Sequence, residues 1–223
     1  NLLLMVIYPT FIAPLFNKFQ PLEDESLKAR VTALMQRCGF SAKGLFVMDG
    51  SRRSAHANAY FTGFGAAKRV VFFDTLLQRL APGEIDAVLA HELGHYKCRH
   101  ILQRMVVMFG ISLAGFALLG WLSAQAWFYS GLGVQPSMDT PNDALALILF
   151  MLAAPLLSFF LSPLLAQLSR KHEFEADAYA VSHTSGDDLA SALLKLYKDN
   201  ASTLTPDPLF ARFYYSHPPA SER

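Results

Sequence analysis

Two long uncharged stretches dominate the hydrophobic pattern of the chain. From Met105 to Met138 there is no Asp, Glu, Lys or Arg, and the part through Trp127 is densely apolar. From Ala144 to Ser169 the chain is again uncharged, reading ALALILFMLAAPLLSFFLSPLLAQLS. Each exceeds the roughly 20 residues that an α-helix needs to cross a bilayer. The pattern therefore predicts a transmembrane hairpin, with spans of about 105–127 and 144–168. Pro155 and Pro163 should kink the second span, which membranes tolerate. Residues 1–17 are also uncharged and largely apolar, and the chain opens on Asn1 rather than Met. They read as the end of another transmembrane helix in a longer protein.

Charge orients the hairpin. Lys97, Arg99 and Arg104 precede the first span, and Arg170 and Lys171 follow the second. The loop at about 129–143 carries Asp139 and Asp143 but no Lys or Arg. The positive-inside rule then places the loop outside and both basic ends in the cytoplasm, and Lys18 agrees.

Between residue 17 and the first span the pattern changes to that of a soluble domain. Leu27, Val31, Leu34 and Met35 have helical spacing within Leu22–Cys38, and Gly39 ends the run. Leu45–Met48, Ala59–Phe61 and Arg69–Phe73 read as short strands, separated by turn-rich pieces at Gly50-Ser51 and Gly63–Gly65. A helix should open near Pro82, with Glu84 and Asp86 favourable in its first turn, and run straight on into the first span.

Composition agrees with an integral membrane protein. Of 223 residues, 52% are hydrophobic and 17% charged, and the net charge of +1 gives no reason to expect nucleic acid as a partner. Cys38 and Cys98 are the two cysteines. Nothing requires them to pair, and no second Cys stands near Cys98 at metal-ligand spacing, so free, buried thiols are expected.

The chemistry sits on the helix that opens at Pro82. In His91-Glu92-Leu93-Gly94-His95 the two histidines are one turn apart, so they face the same way and can grip one ion. Glu92 beside them can take a proton from metal-activated water. A hydrolytic zinc site needs a third ligand and an open position. His100 lies off the face shared by His91 and His95, and the pattern HExxHxxGxxH fails because position 98 is Cys and position 101 is Ile. The better source is Arg170–Asp177, just after the second span. An antiparallel hairpin returns that segment to the side and depth of HELGH. Within it Glu173 can bind metal, while Asp177, one turn on, can accept a hydrogen bond from the far nitrogen of a ligand histidine. His172 and Glu175 remain as alternative ligands, and an exposed charged helix start is the bland alternative for the whole segment.

HELGHYKCRH, the hairpin, SRKHEFEADAYA and SHPPASER together resemble the integral-membrane zinc metallopeptidase family of the type I CaaX prenyl protease. SAHANAYFTGFG, KRVVFFDTLL and LYKDNASTLTPDPL resemble further stretches of that family, in order. The resemblance implies a mainly α membrane protein, with a gluzincin-like catalytic domain and a small β-sheet joined to the hairpin. Its peptidase domain would comprise residues 18–104 and 170–223, and the hairpin 105–169. It implies one zinc ion per chain, held by His91, His95 and Glu173, with Glu92 as general base and Asp177 behind His91. Asn58-Ala59-Tyr60 would be a strand edge that holds an extended peptide. His217 and Arg223 would lie near the substrate carbonyl, where an imidazole or a cation stabilises an oxyanion.

The implied reaction is cleavage behind a prenylated cysteine in a C-terminal CaaX sequence, by a multi-pass enzyme of the bacterial inner membrane or endoplasmic reticulum. General clipping of membrane peptides as quality control is the alternative substrate class. A metal transporter would line its spans with His, Asp or Glu. Neither span contains one.

Overall fold

The computed structural model describes residues 12–42, 44–52, 57–62, 69–137, 140–199 and 206–223. Residues 1–11 of the expected N-terminal span and the Gly63–Gly65 turn lie outside them. Helix α1 (Glu25–Arg37) starts where the Asp24 carboxylate accepts the Leu27 N–H at 3.0 Å. It buries Leu27, Val31, Leu34 and Met35 and ends ahead of Gly39, whose φ of 71° suits a residue without a Cβ.

Four strands form one mixed sheet in the order β1-β2-β4-β3: β1 (Phe19–Pro21), β2 (Gly44–Met48), β3 (Ala59–Thr62) and β4 (Arg69–Phe73). The central β2–β4 pair is parallel, while β1 and β3 lie antiparallel on the two edges. β1 adds to the expected strands. At three residues it is too short to show an alternation, and only its pairing with β2 defines it. Val70 and Phe72 of β4, fully buried, join Leu34 of α1 and Leu89 and Leu93 of the HELGH helix in one core.

After α2 (Asp74–Arg79), helix α3 (Pro82–Lys97) carries HELGH and packs against α1 and β3. At its start Glu84 is buried, accepting from the Ala81 N–H at 2.7 Å and from Lys195 Nζ at 2.7 Å. The expectation that this helix runs on into the first span is overturned. Cys98 closes α3, Arg99 takes a φ of 57°, and a separate helix α4 (His100–Ser123) begins. Nothing in the residue types marks this break, since Arg99 is not a glycine.

The short α5 (Ala126–Gly131) follows α4, in part of what reads as a loop in the sequence. Helix α6 (Asp143–His183) then continues for 41 residues, about 60 Å, through both Pro155 and Pro163. The charged segment after the second span is thus the far end of the same helix, not a new helix start. α4 and α6 are long and apolar enough to cross a membrane, and only 6% and 11% of their most apolar windows are buried. α7 (Gly186–Asp199), α8 (Pro208–Tyr214) and a final turn at Ala220–Glu222 complete the chain.

Candidate active site

The site lies where α3 crosses the far end of α6. Gly94 makes the approach possible: a Cβ there would come within 2.9 Å of the Ala176 Cα, so a larger residue would force the helices apart. One turn around this contact, His91, His95 and Glu173 bring one donor atom each into a group no wider than 4.8 Å. The His91 and His95 Nε2 atoms are 3.1 Å apart, and they lie 3.6 and 3.4 Å from the Glu173 carboxylate oxygens. A tetrahedral ion with bonds of about 2.1 Å needs donors about 3.4 Å apart. Two imidazoles and a carboxylate at these separations fit zinc in both geometry and donor type.

The carboxylates around this point differ sharply. Burial alone would raise Glu173, but the imidazoles of His217, His95 and His91 around it outweigh burial and hold it far below the usual carboxylate range. Burial pushes Glu92 up, against the lowering pull of His91 and His95. One carboxylate is therefore kept as an anion and the other is readier to accept a proton.

Asp177 lies behind His91 and accepts its Nδ1–H at 2.9 Å. Arg223 grips the same carboxylate, with Nε 2.7 Å from one oxygen and Nη2 2.5 Å from the other, and its Nη1 lies 3.3 Å from Glu173. Its guanidinium is buried. His217 remains exposed, with Nδ1 3.1 Å from Glu173, on the open side of the group.

On the other flank, β3 pairs only with β4, so its outer edge carries no strand among the described residues. The Asn58 carbonyl accepts the Phe73 N–H at 2.9 Å and so faces the sheet. Backbone alternation then turns the Ala59 N–H and C=O to the open edge. The Tyr60 ring packs edge-on to Phe73, with centroids 6.2 Å apart.

The two alternative ligands lie apart from the cluster. His172 is buried, stacked on His100 with centroids 4.1 Å apart, and Glu175 bonds His100 at 2.9 Å. His100 itself approaches the cluster from behind, its Nδ1 2.8 Å from His95 Nδ1. Spacing on a continuous helix excludes that contact, and only the turn at Arg99 allows it. Burial lowers His100 below the ordinary imidazole range despite Glu175. Cys98, His100 and Glu175 form a second group with donor atoms within 4.8 Å of one another; both cysteines are free, but only Cys38 is buried, since Cys98 at the end of α3 is partly exposed. A separate cavity of about 800 Å³ between α6 and α8 is lined by Arg170, Phe174, Glu175 and Leu209, and by none of the three converging donors.

The family model for Peptidase family M48 matches residues 21–223. The chain belongs to peptidase family M48. A protein of Arabidopsis thaliana named CAAX prenyl protease 1 homolog is 40% identical over 224 residues, which cover 100% of this chain and 52% of that protein. CAAX prenyl protease 1 of Saccharomyces cerevisiae is 39% identical over 235 residues, again 100% of this chain and 52% of the relative. The crystal structure of S. mikatae Ste24p superposes with a TM-score of 0.88 at 38% identity, over 99% of this chain and 54% of that one. The chain spans about half the length of the curated relatives it matches.

Proposed function

We propose that this M48 chain is the catalytic portion of a membrane-embedded zinc endopeptidase that processes the C-termini of prenylated CaaX proteins. The convergence of His91, His95 and Glu173 beside Glu92 carries this reading. The relatives named CAAX prenyl protease 1 support the substrate class. Residues 18–104 and 170–223 make up the peptidase domain at the cytoplasmic surface, and 105–169 span the bilayer twice. Lipid surrounds the exposed apolar faces of α4 and α6.

The ligands would be His91, His95 and Glu173. A zinc ion held there supplies Lewis acidity toward the scissile carbonyl and acidifies water toward a pKa of about 7. An extended peptide adds to the open edge of β3, where the Ala59 main chain bonds its backbone and the Asn58 and Tyr60 side chains border it. Glu92 accepts the proton of the attacking water and passes it to the leaving amine. The exposed His217 ring donates to the developing oxyanion. Arg223, anchored on Asp177, places positive charge beside the substrate carbonyl.

A cleavage assay on purified full-length protein tests the reading, comparing a farnesylated CaaX peptide with its unprenylated form and with unrelated membrane peptides. Preference for the farnesylated peptide is expected. Equal cleavage of unrelated membrane peptides would replace CaaX processing by quality control.

A further inference from the structure

His100 follows His95 by five positions, an offset that on an unbroken helix turns the two rings about 140° apart. The chain breaks the helix instead. Arg99 takes a φ of 57°, unfavourable for a residue with a Cβ, and is the one non-glycine residue with positive φ among those described. This turn folds His100 back beneath His95. Its Nδ1 comes to 2.8 Å from His95 Nδ1, and its Nε2 to 2.9 Å from the Glu175 carboxylate. His172 stacks flat on the His100 ring at an interplanar angle of 11°, and is itself tied to Gln103 at 3.1 Å.

The proton positions follow from the partners. An ionised carboxylate only accepts, so His100 carries its proton on Nε2 and donates it to Glu175. In the neutral His100 ring Nδ1 is then an acceptor, and His95 presents an N–H on its own Nδ1. That leaves the lone pair of His95 Nε2 aimed at the point shared with His91 and Glu173. On the opposite side, Asp177 accepts the Nδ1–H of His91 at 2.9 Å and sets the same tautomer directly.

We propose that His100 and Glu175 are a positioning pair that fixes the tautomer and ring orientation of His95, as Asp177 does for His91. The two ligand histidines are thus held by unequal devices, one by a carboxylate and the other by a carboxylate acting through an intervening imidazole. Glu175 lies two residues from Glu173 on α6, so the segment that supplies the third ligand also braces the second. This rests on the zinc reading of the site.

Zinc release to a chelator, followed in purified full-length protein, separates the two claims. His91→Ala should abolish stoichiometric zinc; if it does not, the zinc reading fails and the pair falls with it. His100→Ala is expected to weaken zinc retention about 10- to 100-fold, the usual range for loss of such a partner. Glu175 is partly exposed and can be changed without opening the core. Glu175→Ala should release zinc faster than Glu175→Gln, which still accepts a hydrogen bond, while the zinc-free melting temperatures of both stay at the wild-type value. Cys98→Ser should leave one zinc per chain and an unchanged release rate. The proposal is overturned if His100→Ala and Glu175→Ala hold zinc as wild type does while His91→Ala loses it. It is equally overturned by a second zinc equivalent that disappears in Cys98→Ser, since His100 would then be a ligand.

Discussion

The two ends of α6 hide opposite things. Along 143–168 most large apolar side chains stand open, with Leu152 and Leu156 each 72% exposed and Phe160 69%. From Ser169 to Ala180 the same helix buries Arg170, His172 and Glu173. In water this arrangement is inverted, because it leaves leucine solvated and takes charge out of solvent. Each end makes sense with its own surroundings. The first end suits hydrocarbon or neighbouring apolar helices. The second keeps its charges buried by giving each a partner: Arg170 has Glu222 at 2.5 Å, and Glu173 has His217 and Arg223. Burial marks apolar packing in the sheet core, but at this end of α6 it marks a constellation of reactive groups.

The largest expected effect breaks the chemistry and leaves both environments alone. Glu92→Gln should lower turnover by about 10²- to 10⁴-fold, the range for loss of a general base, while zinc content stays at one per chain. Single-turnover cleavage with metal analysis checks this, and wild-type turnover would remove Glu92 from the mechanism. The next effect tests the open end. Leu156→Arg should oppose membrane insertion by about 2.5–3.5 kcal/mol, the cost of arginine at the middle of a span. Measured insertion equal to wild type would mean that this face of α6 does not meet lipid.

A smaller effect tests the crossing on which the buried end depends. Gly94→Ala puts a Cβ within 2.9 Å of the Ala176 backbone, where no flexible side chain can yield. Overpacking of this kind costs about 1–3 kcal/mol. It should lower the melting temperature and speed zinc release together. A drop in melting temperature with unchanged zinc release would show that the metal group does not depend on this spacing.

The sequence reveals these two ends unequally, for a physical reason. A span imposes one rule on some 20 consecutive residues, so α4 and the first part of α6 are plain in composition, and the apolar period of α1 is plain in the same way. An antiparallel pair of such spans is then enough to bring Glu173 beside His91 and His95. What escapes depends on single torsions or on distant returns of the chain. The break at Arg99 leaves no signature, so the contact of His100 with His95 could be seen only in three dimensions. The docking of Arg223 on Asp177 needs the path of the last residues, which follow the short α8, too brief to show a period. β1 is hidden because a three-residue edge strand is defined by its partner.

The smallest effect asks whether buried charge always marks function here. Glu84, at the other end of α3, is as buried as Glu173, yet it is held by Lys195, Ser191 and the Ala81 N–H, away from the cluster. Burial would raise its pKa, but the hydrogen bonds from Lys195 and Ser191 outweigh it and leave the net value below the ordinary 4.5. A carboxylate with a lowered folded pKa adds stability above its unfolded pKa and loses it as pH falls through the folded value. Wild type should therefore lose the contribution of this clasp below about pH 4.5, the unfolded range for Glu. Glu84→Gln should lack that part of the acid dependence and be less stable at pH 7 by about 1 kcal/mol, the scale of one net hydrogen bond. Thermal unfolding from pH 7 to pH 3 would show the two curves converging in acid, with zinc release at pH 7 unchanged. If Glu84→Gln instead sheds zinc, the two ends of α3 act as one unit, and the division between structural and reactive buried charge disappears.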